Sequence, residues 1–435
     1  MSPPLAARLP FFYGWVLVAV AFVTMGVGVN ARTAFSLFFP PILDEFGWDR
    51  GLTAGAFAVG FVVSTPFSPW LGWLMDRRGA RVLILLGVAM MGSGLALATL
   101  ISQPWHLYLT LGFLVSGGSL CLGYTGHGLF LPNWFVRRRG LALGLAFSGV
   151  GIGSIVLLPW AQHLIGTRGW RAACIGLSVV MFAALVPINA LFPRRRPEDM
   201  GLLPDGDARP AAGTTPARPA NIVDPVWAAT DWTLGRAVRT ARFWYVFVGF
   251  ITALFAWYEI QVHQTRYLID IGFRAEPAAY ALGLVALAGV GGQIALGYLS
   301  DRFGRELIWT FGCAGFVVCF LILLAMRASP TTPLLWAMVL SQGLVGYGMA
   351  SVFAAIPAEL FQGRHYGRIF GTLSLATGLG SGAGPWVAGW LHDRAGDYVF
   401  AFQVGIAACV ISAAAIWLAE PRKVRVVAGR IPLAR

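Results

Sequence analysis

The sequence predicts an all-α integral membrane protein, with twelve transmembrane helices in two six-helix bundles. Three observations carry this prediction: a composition too poor in charge for a water-facing surface, apolar runs of spanning length, and one long polar break near the middle. Of 435 residues, 57% are hydrophobic and only 12% charged, and the mean hydropathy is +0.70. A soluble domain carries charge on about a quarter of its residues. A surface this short of charge has to face lipid.

The apolar runs are read at about 13–39, 51–74, 82–102, 105–131, 141–165 and 172–192 before the break. Six more follow it, at about 243–267, 278–299, 306–326, 334–358, 369–391 and 399–419. Each approaches the ~20 residues that a helix needs to cross ~30 Å of hydrocarbon. Many contain Gly and Pro, which membrane helices tolerate. The runs are continuous rather than alternating, which excludes a transmembrane barrel.

The break, 193–242, opens with Arg194-Arg195-Arg196-Pro197 and continues through a Pro/Ala/Gly-rich stretch at 204–220. That stretch reads as flexible linker. A short amphipathic helix is expected over 231–241, capped by Asp231 or Thr230 and lying on the cytoplasmic face. The expected division is therefore 1–192, 193–242 and 243–435: a bundle, a linker, and a second bundle with its tail.

The net charge of +13 raises nucleic acid as a partner, but its placement points elsewhere. With both termini cytoplasmic, 24 Lys and Arg fall on the cytoplasmic side and six on the other, with Arg32 and Arg266 inside spans. That asymmetry follows the positive-inside rule and sets both termini in the cytoplasm, with the chain in the inner cell membrane. The excess charge then faces lipid headgroups. The five cysteines lie within spans without metal-ligand spacing and read as small apolar residues. The N-terminal segment lacks a signal-peptide pattern, so the first span is expected to be retained.

The two halves resemble each other. Gly72-Trp73-Leu74-Met75-Asp76-Arg77-Arg78-Gly79 after span 2 matches Gly297-Tyr298-Leu299-Ser300-Asp301-Arg302-Phe303-Gly304 after span 8, at an offset of 225. Spans 5 and 11 also echo one another, through Gly144, Gly151, Gly153 and Pro159-Trp160 against Gly371, Gly378, Gly380 and Pro385-Trp386. Duplicated six-helix units suggest two bundles rocking around a midplane site. In the loop motif, glycine allows close helix approach. The aspartate can pair with arginine and accept hydrogen bonds from a neighbouring helix N-terminus. Gly72, Asp76, Arg77 and Gly79, with Gly297, Asp301, Arg302 and Gly304, are thus expected to form a gate. The plainer reading is an arginine-rich turn that fixes topology.

On these motifs the chain resembles the major facilitator superfamily over essentially its full length. Phe12-Tyr13-Gly14-Trp15, Phe38-Phe39-Pro40-Pro41 with Glu45-Phe46-Gly47-Trp48, Arg138-Arg139-Gly140-Leu141-Ala142 and Pro197-Glu198-Asp199-Met200-Gly201-Leu202 resemble its monocarboxylate and oxalate–formate branch. The resemblance implies transport of small organic anions, coupled to protons or by exchange. Monocarboxylate transporters carry a span-1 lysine about where Thr33 falls, and an Asp and Arg in span 8 where this chain has Gly289 and Gln293. Any proton coupling must then use other groups.

Charges inside a bilayer are costly, which makes each one a functional candidate. Arg32 lies in the outer half of span 1, flanked by Asn30 and Thr33. Glu259, His263 and Arg266 follow at i, i+4 and i+7 in span 7 and share a face. The 227 offset maps Arg32 onto Glu259, so both are expected to line a central cavity. Arg32, Asn30, Thr33, Tyr258, His263 and Gln293 are the expected substrate contacts, with Glu259 and His263 as proton sites. The alternative is an Arg32–Glu259 ion pair that orders one state. Arg266 is expected to snorkel outward, and Glu359 to pair with Arg364 or Arg368.

The reading is a secondary transporter of small monocarboxylates, acting as a monomer on small organic anions and protons within membrane lipid, with no cofactor, metal or nucleic acid. An exporter of hydrophobic drugs or metabolites and a non-transporting membrane sensor are the alternatives. No catalytic constellation suggests an enzyme.

Overall fold

The computed structural model describes residues 10–194, 196–207 and 220–431. It is almost wholly helical. The spans are α1 (Gly14–Phe46), α2 (Arg50–Arg78), α3 (Ala80–Ala98), α4 (Pro104–Asn133), α5 (Arg139–Arg168) and α6 (Trp170–Leu191). After the break come α7 (Ala241–Asp270), α8 (Ala275–Phe303), α9 (Arg305–Met326), α10 (Thr332–Phe361), α11 (Tyr366–Ala395) and α12 (Val399–Ala419). Ten stretches among the described residues are long and apolar enough to cross a membrane. The other two, α2 and α11, have 29 and 30 residues and a less apolar composition, with internal prolines Pro66, Pro69 and Pro385. They complete the twelve.

The chain forms two compact units, 1–136 with 146–214, and 137–145 with 215–435. The first residues of α5 therefore pack with the second unit. Within each unit the same packing device recurs. In the first, a Cβ on Gly149 would meet the Phe22 carbonyl oxygen at 2.1 Å, and one on Gly153 the Gly26 oxygen at 2.3 Å. In the second, Gly380 stands against the Ile251 oxygen and Gly384 against the Phe255 oxygen, each at 2.2 Å. Two glycines one turn apart thus let α5 touch the α1 backbone, and α11 the α7 backbone. Between lipid-facing helices close contact rests on such small residues, because lipid removes the hydrophobic drive.

Local chemistry sets the helix boundaries. Gly79 (φ 80°) and Gly304 (φ 111°) close the two repeat motifs in a conformation that a side chain disfavours. They let α2 turn directly into α3, and α8 into α9. At Thr240 the side-chain oxygen accepts the Phe243 amide at 3.3 Å and starts α7.

One local expectation of the linker changes, and another falls mostly outside the described residues. The single helix expected over 231–241 is replaced by short helices Pro225–Ala229 and Leu234–Ala237, capped by Asp224 and Thr233. Pro225 favours the earlier start because a first-turn proline needs no amide partner. Most of the flexible stretch expected at 204–220 lies outside the described residues, and Pro204–Gly206 forms a 3-10 turn. Finally, α1 runs to Phe46 with a break at Ala34, and Pro40 and Pro41 lie in its second segment.

Candidate functional site

In the first unit, Arg32 is half-buried in the last turn of Gly14–Thr33, immediately before the Ala34 break. A cation there complements the partial negative charge of the helix end. Its neighbours are occupied locally. Asn30 is 2% exposed and donates through Nδ2 to the Gly26 and Val150 carbonyls at 2.8 and 2.9 Å. It therefore ties α5 to α1 beside the glycine crossing. Thr33 is exposed, and its hydroxyl donates to Val29 on its own helix at 3.0 Å.

In the second unit the three aligned groups of α7 part company. Glu259 is 1% exposed, and neither carboxyl oxygen has a hydrogen-bond partner among the described residues. Its carboxyl lies toward α12 and α9. A Cβ on Gly405 would come within 2.6 Å of Oε2 and 2.4 Å of the Phe320 ring. Gly405 makes the room that this carboxyl fills. The expected cavity-lining face is thus corrected: Glu259 points into the interior of its own unit, since α9 and α12 pack against that side of α7.

His263 is bonded at both ring nitrogens. Nε2 lies 2.9 Å from the Pro385 carbonyl and Nδ1 3.1 Å from the Tyr398 hydroxyl. A carbonyl only accepts, so Nε2 carries a hydrogen; in the neutral ring Nδ1 accepts from Tyr398. Arg266 pairs with Asp270 one turn on, at 3.0 Å and with 72% side-chain exposure. Tyr258 is half-buried. Gln293 is 3% exposed, its Oε1 has no partner among the described residues, and its backbone oxygen lies 2.2 Å from where a Gly144 Cβ would stand.

The repeat motifs sit at the ends of α2 and α8. In the first copy Arg77 lies over the Trp73 ring at 4.9 Å, with Gly72 buried and Asp76 half-buried. In the second, the Asp301 carboxylate accepts the Gly140 and Leu141 amides, both at 2.9 Å, and pairs with Arg305 at 2.7 Å. Those amides belong to the first turn of α5, where the backbone donors have no partner of their own. Gly297 meets the Gly140 oxygen at 2.4 Å from its would-be Cβ, so both glycines are needed for the contact. Arg302 lies over Tyr298 at 4.7 Å.

The expected pairing of Glu359 with Arg364 or Arg368 is corrected. Its carboxylate instead pairs with Arg139 at 2.9 Å and Arg305 at 3.4 Å, all three nearly excluded from solvent. Arg139 and Arg305 read from sequence as loop cations, because nothing local marks them as buried. A further pair was also hidden. Glu45 accepts from Arg171 at 2.6 Å and from the Trp170 indole at 2.8 Å, tying the end of α1 to the start of α6. The signal for it was the Glu45-Phe46-Gly47-Trp48 stretch, but its partner is far away in sequence.

The comparisons with known proteins fit this architecture. The sequence profile of the Major Facilitator Superfamily matches residues 16–354 and 328–433, and the chain belongs to that superfamily of transporters. Among curated proteins it is 28% identical to monocarboxylate transporter 11 of Homo sapiens, over 97% of this chain and 86% of that protein. It is 26% identical to monocarboxylate transporter 13 of Bos taurus, over 90% of this chain and 86% of that one. Among solved structures it is similar to the Major Facilitator Superfamily transporter FucP in its outward conformation, with a TM-score of 0.68 at 16% identity, covering 94% of this chain and 98% of that one. The proton:xylose symporter XylE gives 0.68 at 13% identity, covering 93% and 95%. The chain is thus a multi-pass membrane transporter by family and fold.

Proposed function

We propose that this transporter carries small, partly apolar monocarboxylates by alternating access, driven by protons or by exchange. The observation that carries the reading is the matched pair Arg32 and Glu259. They stand at equivalent positions of the two repeats, since the 227 offset that relates them also relates Gly14 and Ala241, where α1 and α7 begin. Arg32 supplies a permanent, fork-shaped cation suited to a substrate carboxylate. Glu259 supplies a titratable group in apolar surroundings. Neither of its carboxyl oxygens has a hydrogen-bond partner among the described residues, and an ionisable group inside a span is a candidate for proton exchange. The similarity to proteins named monocarboxylate transporters supports the same substrate class.

In this reading the halves 1–192 and 243–435 are the moving bundles, joined by 193–242. Asp301 holding the start of α5 is part of the gate. The protein is a monomer in the cell membrane with both termini cytoplasmic, as the arginine asymmetry favours. His263, already bonded on both sides, is the weaker proton site.

The test is uptake of labelled lactate, pyruvate and longer or aromatic acids into proteoliposomes, with and without an inward proton gradient. Wild type, Arg32→Gln and Glu259→Gln are compared. Gradient-driven accumulation that Arg32→Gln abolishes supports the reading. Exchange with no gradient effect removes the proton site and leaves the carboxylate carrier. Normal transport by Arg32→Gln, or no movement of any carboxylate, overturns it in favour of the exporter.

A further inference from the structure

The linker and the C-terminal tail meet in a feature that transport chemistry does not require. Ile222 and Arg425 form an isolated antiparallel bridge. The Val223 amide donates to Val424 at 3.0 Å, and the Val426 amide to Asn221 at 2.9 Å. This short ribbon lies against the end of α10, whose last carbonyls have no helical partner. Two of them are taken from outside: the Trp227 indole of the linker donates to Leu360 at 2.7 Å, and the Arg425 guanidinium of the tail donates to Glu359. A cation also complements a helix C-terminus.

The tail reaches the neighbouring helix ends as well. The Arg422 amide donates to Glu306 at the start of α9, at 2.9 Å. A Cβ on Gly429 would come within 2.6 Å of the Arg302 backbone at the end of α8, so only a glycine lets the tail lie so close. Glu359 is therefore gripped twice. Its carbonyl is held by the tail, and its carboxylate by Arg139 and Arg305, the latter also holding the Asp301 that binds the start of α5.

The charges make the tail the weakest member. Among Arg139, Arg305, Arg425, Asp301 and Glu359 there are three cations and two anions, all at least nine-tenths buried. Arg425 is the surplus cation, and the group it donates to is a neutral carbonyl. Burial holds its guanidinium below its usual range; the Glu359 carboxylate opposes that, and the nearby Arg139 adds to it. A buried cation whose nearby anion is already paired with Arg139 and Arg305, on a short segment, is readily released to water, where it is well solvated.

We infer that the tail–linker ribbon is a releasable clasp, which secures the end of α10 and so governs how easily the start of α5 leaves Asp301. With the clasp seated, Glu359 and Arg305 are fixed and Asp301 is aimed at the Gly140 and Leu141 amides. With it withdrawn, the α10 end loses two partners and the cluster loosens.

The experiment uses the full chain in lipid nanodiscs and needs no substrate, so failure of the carboxylate assay leaves it unaffected. Asn221→Cys and Val426→Cys are introduced together. Facing residues of an antiparallel pair stand ~5.5 Å apart at Cα, within disulfide range. Hydrogen exchange is then followed in peptides covering 137–145. The expected result is that oxidation slows exchange there about tenfold or more relative to the reduced protein, and that Arg425→Gln speeds it by a similar factor. Equal exchange in the oxidised, reduced and Arg425→Gln proteins overturns the inference. So does failure of the disulfide to form under oxidant, because the strands are then not paired. Arg425→Lys, which keeps the charge, is expected to restore most of the protection.

Discussion

Arg139 and Glu359 stand 2.9 Å apart with side-chain exposures of 0% and 3%. The pair joins the start of α5 to the end of α10 within one compact unit. Two buried charges attract strongly, but each has also given up its hydration, so the net stabilisation of the pair is small. Removing one member is another matter, because the survivor stays buried.

Glu359→Gln is therefore expected to be costly. Arg139 and Arg305 would remain buried with one anion, Asp301, between them. Breaking a buried pair from one side costs about 3–5 kcal/mol, which thermal unfolding in detergent would register as a clear drop in melting temperature. The double variant Arg139→Gln/Glu359→Gln should recover part of the loss. Unchanged melting in the single variant would show that water already solvates the cluster.

The glycine crossings offer a sharper steric test. Gly384→Ala places a methyl group 2.2 Å from the Phe255 oxygen. The helices must separate, at roughly 1–3 kcal/mol, the usual cost of overpacking. Gly382, two residues away on α11, has nothing within 4 Å of its would-be Cβ. Gly382→Ala should be neutral or mildly stabilising, since alanine favours helix by ~1 kcal/mol. Equal losses at both sites would mean that helix propensity, not the crossing, sets stability.

Glu259 should separate stability from function. Its carboxyl makes no hydrogen bond among the described residues, so Glu259→Gln has no such bond to lose and should melt at or above the wild-type temperature. The same variant should transport without responding to a proton gradient. Gly405→Ala, by contrast, should lower the melting temperature, because its methyl group would press on both Glu259 and Phe320. A marked loss of stability in Glu259→Gln would reveal a polar partner and remove the argument for a proton site.

At the opposite extreme is Glu45, whose pair with Arg171 is 40% exposed on each side. Solvent screens such a pair, and Glu45→Gln is expected to cost no more than about 1 kcal/mol. The difference from wild type should shrink further in high salt. A loss that salt does not reduce would assign the stabilisation to the Trp170 hydrogen bond instead.

The sequence by itself determined the twelve helices, their order, and the duplication. These follow from patterns that each segment carries alone: the length of an apolar run, the glycine that ends it, a motif repeated at a fixed offset. Lipid enforces such patterns directly, since a backbone in hydrocarbon must bond within its own helix. It also marked Arg32 and Glu259 as unusual, because a charge inside an apolar run needs no neighbour to be noticed.

Only the tertiary structure decided which way those side chains turn and whom they meet. Helical spacing put Glu259, His263 and Arg266 on one face, yet their environments differ: a nook beside Gly405, two hydrogen bonds, and an exposed pair with Asp270. Asn30 serves the α1–α5 crossing. Asp301 finds its amides 161 and 160 residues away, and Arg425 reaches back 66 residues to a carbonyl. Such partners leave no periodic trace, because a helix end accepts any donor that packing brings to it. Hydropathy fixes where a helix lies; which charges share its end depends on glycine-sized gaps between helices, and those exist only once the helices are packed.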